Sequence, residues 1–521
     1  MPPLHRWRFF ATFIAFYGLA GAQRSCSLPG VSSLRILFVS PEVEPFVKVG
    51  GLADMAGSLP KALAALGHDV RIVCPAYGCV KIGANWRARQ DPLGVDVGAA
   101  AEWARTWETT LPGATVPVPV YFLEHQRFFG RPEVYTGPWG AHEDNDLRFT
   151  FFSRAALTLC LQLGWIPDVI HCHDWTTGFV PVYLNTLYRD TPLGRTASMF
   201  TIHNLEHQGL FGRRAFDYSR LPAAEFRADS VEAFGGVNMM KAGLYHATKL
   251  TTVSPTYAHE IRTPEGGCGL HDVLAFRGAD LMGILNGIDT SSWSPEIDMS
   301  LPATYSAANF TGKAVCKAAL QRELGLKVDP HVAVFGIVSR FASQKGLDLV
   351  AEALPHIVRR MHVQFVILGA GDPGLEYMFR GMGDEFRGQV GTYIGYSPGL
   401  ARLVQAGSDF FVMPSRAEPC GLTQLYAMRY GTPPVVRATG GLIDTVEQYD
   451  EATGEGTGFL FNDTSAAALY NTVGWACSTY YDRPHHVRQL RRAGMAKDFS
   501  WRRSAELYVD AYHWAIAARR E

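Results

Sequence analysis

"LRILFVSPEVEPFVKVGGLADMAGSLPKALAALGHDVRIV", residues 34–73, decides how this chain is read. Its first seven residues form a short apolar run, the pattern of a buried strand. A loop carrying Lys48, Gly50, Gly51 and Asp54 follows, and then Leu52, Met55, Leu59, Leu63 and Leu66 recur on one helical face. Gly67 supplies a stop, and "HDVRIV" reads as the next buried strand. Strand, glycine loop, helix and strand are the opening of a nucleotide-binding α/β domain. Pro60 interrupts the helical pattern; with Ser58 as a cap, it reads as the first residue of a second segment.

The same opening occurs again. "HVAVFGIVSR" (331–340) leads into "FASQKGLDLVAEAL" and then "VQFVILGAG" (363–371). Between and after these lie further short apolar runs, among them "DVIHCHD", "ASMFTIHN", "KLTTVS", "DFFVMPS" and "PPVVRA". Strands alternating with helices indicate parallel sheets, with ligands beyond the carboxyl ends of the strands. The expected fold class is therefore α/β: two Rossmann-like halves facing each other across a deep cleft, joined in the strand-poor stretch 292–328.

Composition agrees with two folded domains. A chain of 521 residues exceeds one ordinary core. Hydrophobic content of 47% and charged content of 19% describe a globular protein. With 48 basic and 49 acidic residues the net charge is -1, which argues against a nucleic-acid partner. Nine scattered cysteines without a C-x-x-C pair argue against a disulfide framework and fit a reducing compartment. The N-terminus differs: His5, Arg6 and Arg8 precede an apolar stretch and small residues at Ala20 and Ala22. Residues 1–33 thus read as a secretory signal, an organellar transit segment or an extension outside the fold. No other long apolar run is present, so no membrane association is expected of the remainder.

Several constellations sit at expected strand ends. "SRFASQKG" places Arg340 and Lys345 after a strand, where two cations suit a diphosphate; both are equally ordinary as solvated surface residues. In "PSRAEPCGLTQLYAMRYG" (414–431) a helix is expected to begin near Gly421, so that the backbone N–H groups of Gly421, Leu422 and Thr423, just after Cys420, offer an anion site. Glu418 stands before that helix, either as a sugar ligand or as a helix-dipole partner. In "HCHDW" (171–175), His171 and His173 share one strand face, but no further ligands stand at zinc spacing. Asp174 there, and His203 with Asn204 in "TIHNLEHQG", end strands. "GAGDPG" (369–374) matches a dinucleotide fingerprint, yet the following strand ends without the acidic residue that would hold a ribose. Neither a G-x-S-x-G elbow nor a Walker A motif occurs.

Taken together, "KVGGLAD", "HDW", "HN", "GILNGID" (283–289), "SRFASQKG", "EPCGLTQLYAMRYG", "TGGLIDTV" and "DFSW" resemble the bacterial glycogen synthase and plant starch synthase family. The likeness runs from Leu34 to the C-terminus. It implies a GT-B architecture: an acceptor-side domain over 34–295, a sugar-nucleotide domain over 296–495, and a C-terminal helix in 496–521 packing back on the first domain. It implies transfer of glucose from ADP-glucose to the non-reducing end of an α-1,4-glucan, with retention of configuration, no cofactor and no metal. By the same resemblance, Arg340 and Lys345 hold the diphosphate and Glu418 the glucose. Residues Cys420 to Thr423 bind phosphate and sugar hydroxyls, Tyr396 stacks on adenine, and Asn286 lines the cleft. His203, with Asn204 beside it, contacts the transferred sugar, and Asp174 lines the acceptor pocket. Lys48, Gly50, Gly51 and Asp54 form the opposing loop. Front-face attack is favoured, since no unambiguous nucleophile is present. A cytoplasmic location is expected, or a plastid one if residues 1–33 are a transit segment. The family's usual "HNLAYQG" is "HNLEHQG" here, with Glu206 and His207 on the acceptor side. Two alternatives stand beside this reading: a related transferase using UDP-glucose or another acceptor, and an inactive glucan- or nucleotide-binding protein.

Overall fold

The computed structural model describes residues 33–138 and 140–521. The readings of residues 1–33 fall outside these, Ser33 excepted. Residues Leu34–Glu521 form one unit containing two large sheets.

The first sheet has seven parallel strands: β1 (Arg35–Val39), β2 (Asp69–Pro75), β3 (Pro119–Glu124), β4 (Val169–His173), β5 (Ala197–Ile202), β6 (Lys249–Thr252) and β7 (Leu281–Gly283). Their spatial order is β3-β2-β1-β4-β5-β6-β7, every neighbouring pair parallel. Beyond β3 the sheet continues antiparallel through Ala100–Thr110, which also pairs with Leu93–Val97. The second sheet contains β8 (Ala333–Val338), β9 (Val363–Gly369), β10 (Val390–Ile394), β11 (Phe410–Met413), β12 (Pro434–Arg437) and β13 (Phe459–Phe461). Its order is β10-β9-β8-β11-β12-β13.

Both sheets thus change winding direction beside their first strand, at β1/β4 and at β8/β11. Such switch points leave a crevice at the carboxyl ends of the strands, where ligands of open α/β sheets bind. The architecture is GT-B: two Rossmann-like halves.

Five helices matter to the site: α1 (Gly51–Ala65), α2 (Pro255–Glu260), α3 (Thr423–Arg429), α4 (Gly441–Thr445) and α5 (Trp501–Arg520). α1 runs through Pro60 without the second start that the sequence suggests. A proline inside a helix costs about 3 kcal/mol in lost bonding and crowding. Leu52, Met55, Leu59 and Leu63 are all buried on the sheet-facing side, and each contributes about 1.5–3 kcal/mol, so packing outweighs the break. α5 buries Trp501, Tyr508 and Tyr512 in the core of the first half. There the Tyr512 hydroxyl meets His171 Nδ1 at 2.8 Å, and Ser504 Oγ donates to Leu285 O at 2.6 Å. Among the described residues no helix is long and apolar enough to cross a membrane.

Candidate active site

At the β1/β4 switch point, the loop between β1 and α1 is suspended from a buried carboxylate. Glu42 Oε2 accepts the backbone N–H groups of Val49 (2.5 Å) and Gly50 (2.9 Å), and Oε1 accepts the Tyr135 hydroxyl (2.6 Å). Burial raises the Glu42 pKa despite these three donors. The loop lies down on α1 at Gly57, where a Cβ would collide with Glu44 O. Lys48 Nζ bonds Asp54 Oδ1 at 2.6 Å; the lysine side chain is 39% exposed and the aspartate 21%. Burial lowers the Lys48 pKa, but Asp54, Glu44 and the Tyr396 hydroxyl together carry it above its ordinary value. The Asp54 carboxyl, the more enclosed partner, is raised by burial more than Lys48 lowers it. Both ends of one pair therefore shift upward.

Neither glycine of the loop is forced by the protein around it. A Cβ on Gly50 would meet no atom within 4 Å, and one on Gly51 only Leu422 Cδ1 at 3.6 Å.

Asp174 follows β4 with a positive φ of 54° and ψ of -173°. Its Oδ1 accepts the backbone N–H groups of His203 (2.7 Å) and Asn204 (3.4 Å). Burial pushes its pKa up to about 7 against those two donors. His203 Nε2 lies 3.2 Å from His173 Nδ1, and burial takes the His203 pKa down to about 3. The His173 and His171 rings are tilted at 44° with centroids 4.2 Å apart, and burial lowers both well below the histidine range. All three imidazoles are consequently neutral at pH 7. Among the described residues no group of three or more His, Cys, Asp or Glu is arranged to hold a metal ion.

At the β8/β11 switch point, Lys345 Nζ is held by both oxygens of Glu418, at 2.9 and 2.7 Å. Ser415 Oγ donates to Glu418 Oε2 at 3.0 Å. Glu418 is 5% exposed. Arg340 is exposed at the end of β8 and stands outside this network. The helix expected to begin near Gly421 is α3, beginning at Thr423 with Leu422 as its cap and no side-chain acceptor on its first turn. Gly421 is instead the left-handed bend before it, φ +74°, where a Cβ would collide with Gln424 Oε1. Cys420 is buried, its thiol pushed up to about 12 by burial, with the Asn286 backbone opposing that rise. Tyr396 is 81% exposed in the loop after β10.

The structure therefore gathers the sequence candidates into three bonded groups: Lys48 with Asp54; Asp174 with His203 and Asn204; Lys345 with Glu418. Gly51 faces Leu422 across the boundary between the halves, and the Tyr396 hydroxyl is near enough to Lys48 to raise its pKa. Sequence reading overlooked the residues that hold these groups in place. Glu42 carried a signal, an acid three residues after a strand end. Others carried none. Ser254 Oγ donates to Pro419 O at 2.6 Å, and the Thr256 hydroxyl to Asp444 at 2.7 Å. Glu260 accepts the Gly440 N–H at 2.9 Å. α2 of the first half thereby fixes the backbone flanking Glu418 by direct contact between the halves.

Two Rossmann-like halves, each with a lysine–carboxylate pair beside its switch point, have the architecture of a glycosyltransferase of the GT-B class. Comparison with known proteins agrees. Residues 35–276 match the family "Starch synthase catalytic domain", and 319–490 match "Glycosyl transferases group 1". Glycogen synthase 1 of Geobacter sulfurreducens is 46% identical over 495 residues, covering 94% of this chain and 98% of that protein. Glycogen synthase of Myxococcus xanthus is 45% identical over 487 residues, 93% and 100% of the two chains. The solved catalytic domain of starch synthase IV from Arabidopsis thaliana, bound to ADP and acarbose, superposes with a TM-score of 0.87. It is 35% identical and covers 93% of this chain and 100% of that one. The chain belongs to the glycogen synthase and starch synthase family. It is a hexosyltransferase of α-glucan synthesis, acting between a nucleotide-sugar donor and a glucan acceptor.

Proposed function

We propose that this enzyme transfers glucose from ADP-glucose to the 4-hydroxyl at the non-reducing end of an α-1,4-glucan, with retention of the α configuration. The observation that carries the reading is the Lys345–Glu418 pair at the second switch point, opposite the Lys48 loop. ADP as the departing group is supported by the ligands of the Arabidopsis starch synthase structure.

In this mechanism Lys345 and Arg340 receive the diphosphate. The free N–H groups at the start of α3 add donors to the same oxygens. Fixed positive charge where negative charge develops lowers the barrier to breaking the bond between C1 and the phosphate oxygen. Glu418 orients the glucose hydroxyls and holds Lys345. Lys48 approaches the phosphates from the opposite loop, with Asp54 orienting its ammonium. Gly50 and Gly51, open on the cleft side, let the backbone come close to the sugar nucleotide. Tyr396 stacks on the base, and Asn286 and Cys420 shape the floor between the halves.

His203, neutral and half-buried, offers a hydrogen bond to the transferred sugar without placing a second charge beside the forming cation. Asp174 and Asn204 shape the acceptor side. Attack comes from the face the phosphate is leaving: the acceptor O4 bonds to C1, and its proton passes to a departing phosphate oxygen. No protein nucleophile is needed. A cytoplasmic location fits this reading, because the sugar nucleotide is made inside cells.

Incubating the purified protein with glycogen and either ADP-glucose or UDP-glucose tests the assignment. Elongation from ADP-glucose, with α-1,4 linkages in the product by NMR, is expected. Turnover with UDP-glucose alone would replace the donor. Glycogen binding without turnover with either donor would leave a binding protein.

A further inference from the structure

One surface outside the cleft has the make-up of a carbohydrate platform. Trp103 lies in the antiparallel strand Ala100–Thr110 and is 61% exposed. The residue paired with it across the hairpin is Gly94. A Cβ on Gly94 would stand 3.0 Å from two carbons of the indole, so the ring lies flat on the neighbouring strand with its other face in solvent. An apolar side chain that covers glycine in this way forms a rigid plate and loses little entropy when a ligand settles on it.

The rim of the plate is polar. Trp103, Arg105, Glu124, His125, Gln126 and Arg127 line a depression of about 450 Å³. Arg105 and Trp107 share the strand face of Trp103, two and four residues on. Trp107 Nε1 donates to Glu124 Oε2 at 2.8 Å. Behind the rim, Glu102 braces His125 at 3.2 Å and Arg127 at 3.5 Å. Two guanidinium groups and two carboxylates thus surround an exposed indole, with no net excess of either sign.

We infer that this depression binds a segment of α-glucan outside the catalytic cleft. A glucose ring presents an apolar C–H face, which suits the indole, and an edge of hydroxyls, which suits carboxylates, amides and guanidinium groups. A nucleic acid would call for a positive groove, which Glu102 and Glu124 cancel here. The position agrees as well. Glu124 ends β3, so the plate lies on the same carboxyl edge of the sheet as the β1/β4 switch point. Three inter-strand steps of about 4.8 Å separate it laterally from β1, roughly 14 Å in all. A polymer engaged by its tip in the cleft can be held by a neighbouring segment or branch at that distance, and the second contact raises its effective concentration.

The inference rests on the glucan-acceptor reading, and the experiment separates the two. Wild type, Trp103→Ala and Trp103→Phe are compared by native electrophoresis through glycogen-containing gels and by elongation of glycogen and of maltotriose. Trp103→Ala is expected to weaken glycogen retardation about tenfold and to raise the apparent KM for glycogen similarly. Its kcat with maltotriose, too short to reach both places, stays unchanged, and Trp103→Phe keeps most of the affinity. Equal retardation of wild type and Trp103→Ala overturns the platform alone. Parallel losses on maltotriose, or a changed sedimentation coefficient that marks the face as a contact between copies, also overturn it. A wild-type protein that neither binds nor extends glycogen overturns the glucan reading with it.

Discussion

The two switch points share one topology and differ in how they present charge. In the second half, Lys345 and Glu418 form a bidentate pair closed in by Ser415, with the carboxylate almost fully buried. In the first half, Lys48 reaches out of a loop, more than a third exposed, and the buried carboxylate Glu42 grips the backbone behind it rather than the ammonium itself. One jaw is a preset charge constellation, whereas the other is a charge carried on a suspended arm. Preorganised charge contributes most where the transition state gains charge, because nothing has to move at that moment. An exposed pair contributes little until a ligand covers it.

The sharpest way to break this comparison is to truncate both lysines. Lys345→Ala is expected to lower kcat by about a hundred- to a thousandfold, the usual cost of removing one preorganised donor, with glycogen binding nearly unchanged. Lys48→Ala is expected to cost roughly tenfold in kcat and to raise the donor KM, since its charge must first be brought to the phosphates. Single-turnover rates on the two variants decide. Equal losses would mean that both jaws are equally preset.

Glu42 tests the arm itself. Alanine there strips the acceptor from two backbone N–H groups and the Tyr135 hydroxyl, and each such group left unpaired costs about 1–3 kcal/mol. Glu42→Ala should lower the denaturation midpoint clearly and raise the donor KM, whereas Glu42→Gln should recover most of both. The glutamine carbonyl can take the two N–H groups, and its amide can face a reoriented tyrosine hydroxyl. Burial raises the Glu42 pKa while its three donors lower it, so glutamine, an uncharged acceptor of the same shape, separates the hydrogen bonds from the charge. A glutamine variant as weak as alanine would show that the charge is required.

These two jaws were unequally legible in the sequence. Lys48, Lys345 and Glu418 sit in loops announced by an apolar run before and a helical pattern after, which local periodicity can detect. Glu42 acquires its role from Tyr135, 93 residues away. Ser254 and Glu260 acquire theirs from the loops at 419 and 440, in the other half. Such partners are chosen by the packing of the halves, and no local pattern encodes them. Pro60 misled for the opposite reason: a strong local breaker was overridden by four buried side chains of its own helix. The exposed indole of Trp103 was equally hidden, because a tryptophan within an alternating strand reads as core until its neighbours are known.

The smallest effect expected is a pH dependence belonging to the first half. The Asp174 pKa stands at about 7 in the fold, against about 3.9 for a free aspartate. The folded state therefore holds the proton more tightly than the unfolded one. Its contribution to stability is greatest below about pH 4, declines as pH rises toward about 7, and is level above. Asparagine keeps an acceptor for the His203 and Asn204 N–H groups and carries no charge to bury. Relative to wild type, Asp174→Asn should gain about 1–3 °C in melting temperature between pH 5 and pH 8, the carboxyl being partly exposed and so partly screened. Glu42 and Asp54 are raised in the same direction and remain in both proteins, so the difference between the two melting profiles reports Asp174 together with its charge coupling to Glu42. A difference that stays constant across that range would mean that Asp174 is ionised throughout. The first jaw would then carry as fixed a charge pattern as the second, and the contrast between them would rest on exposure alone.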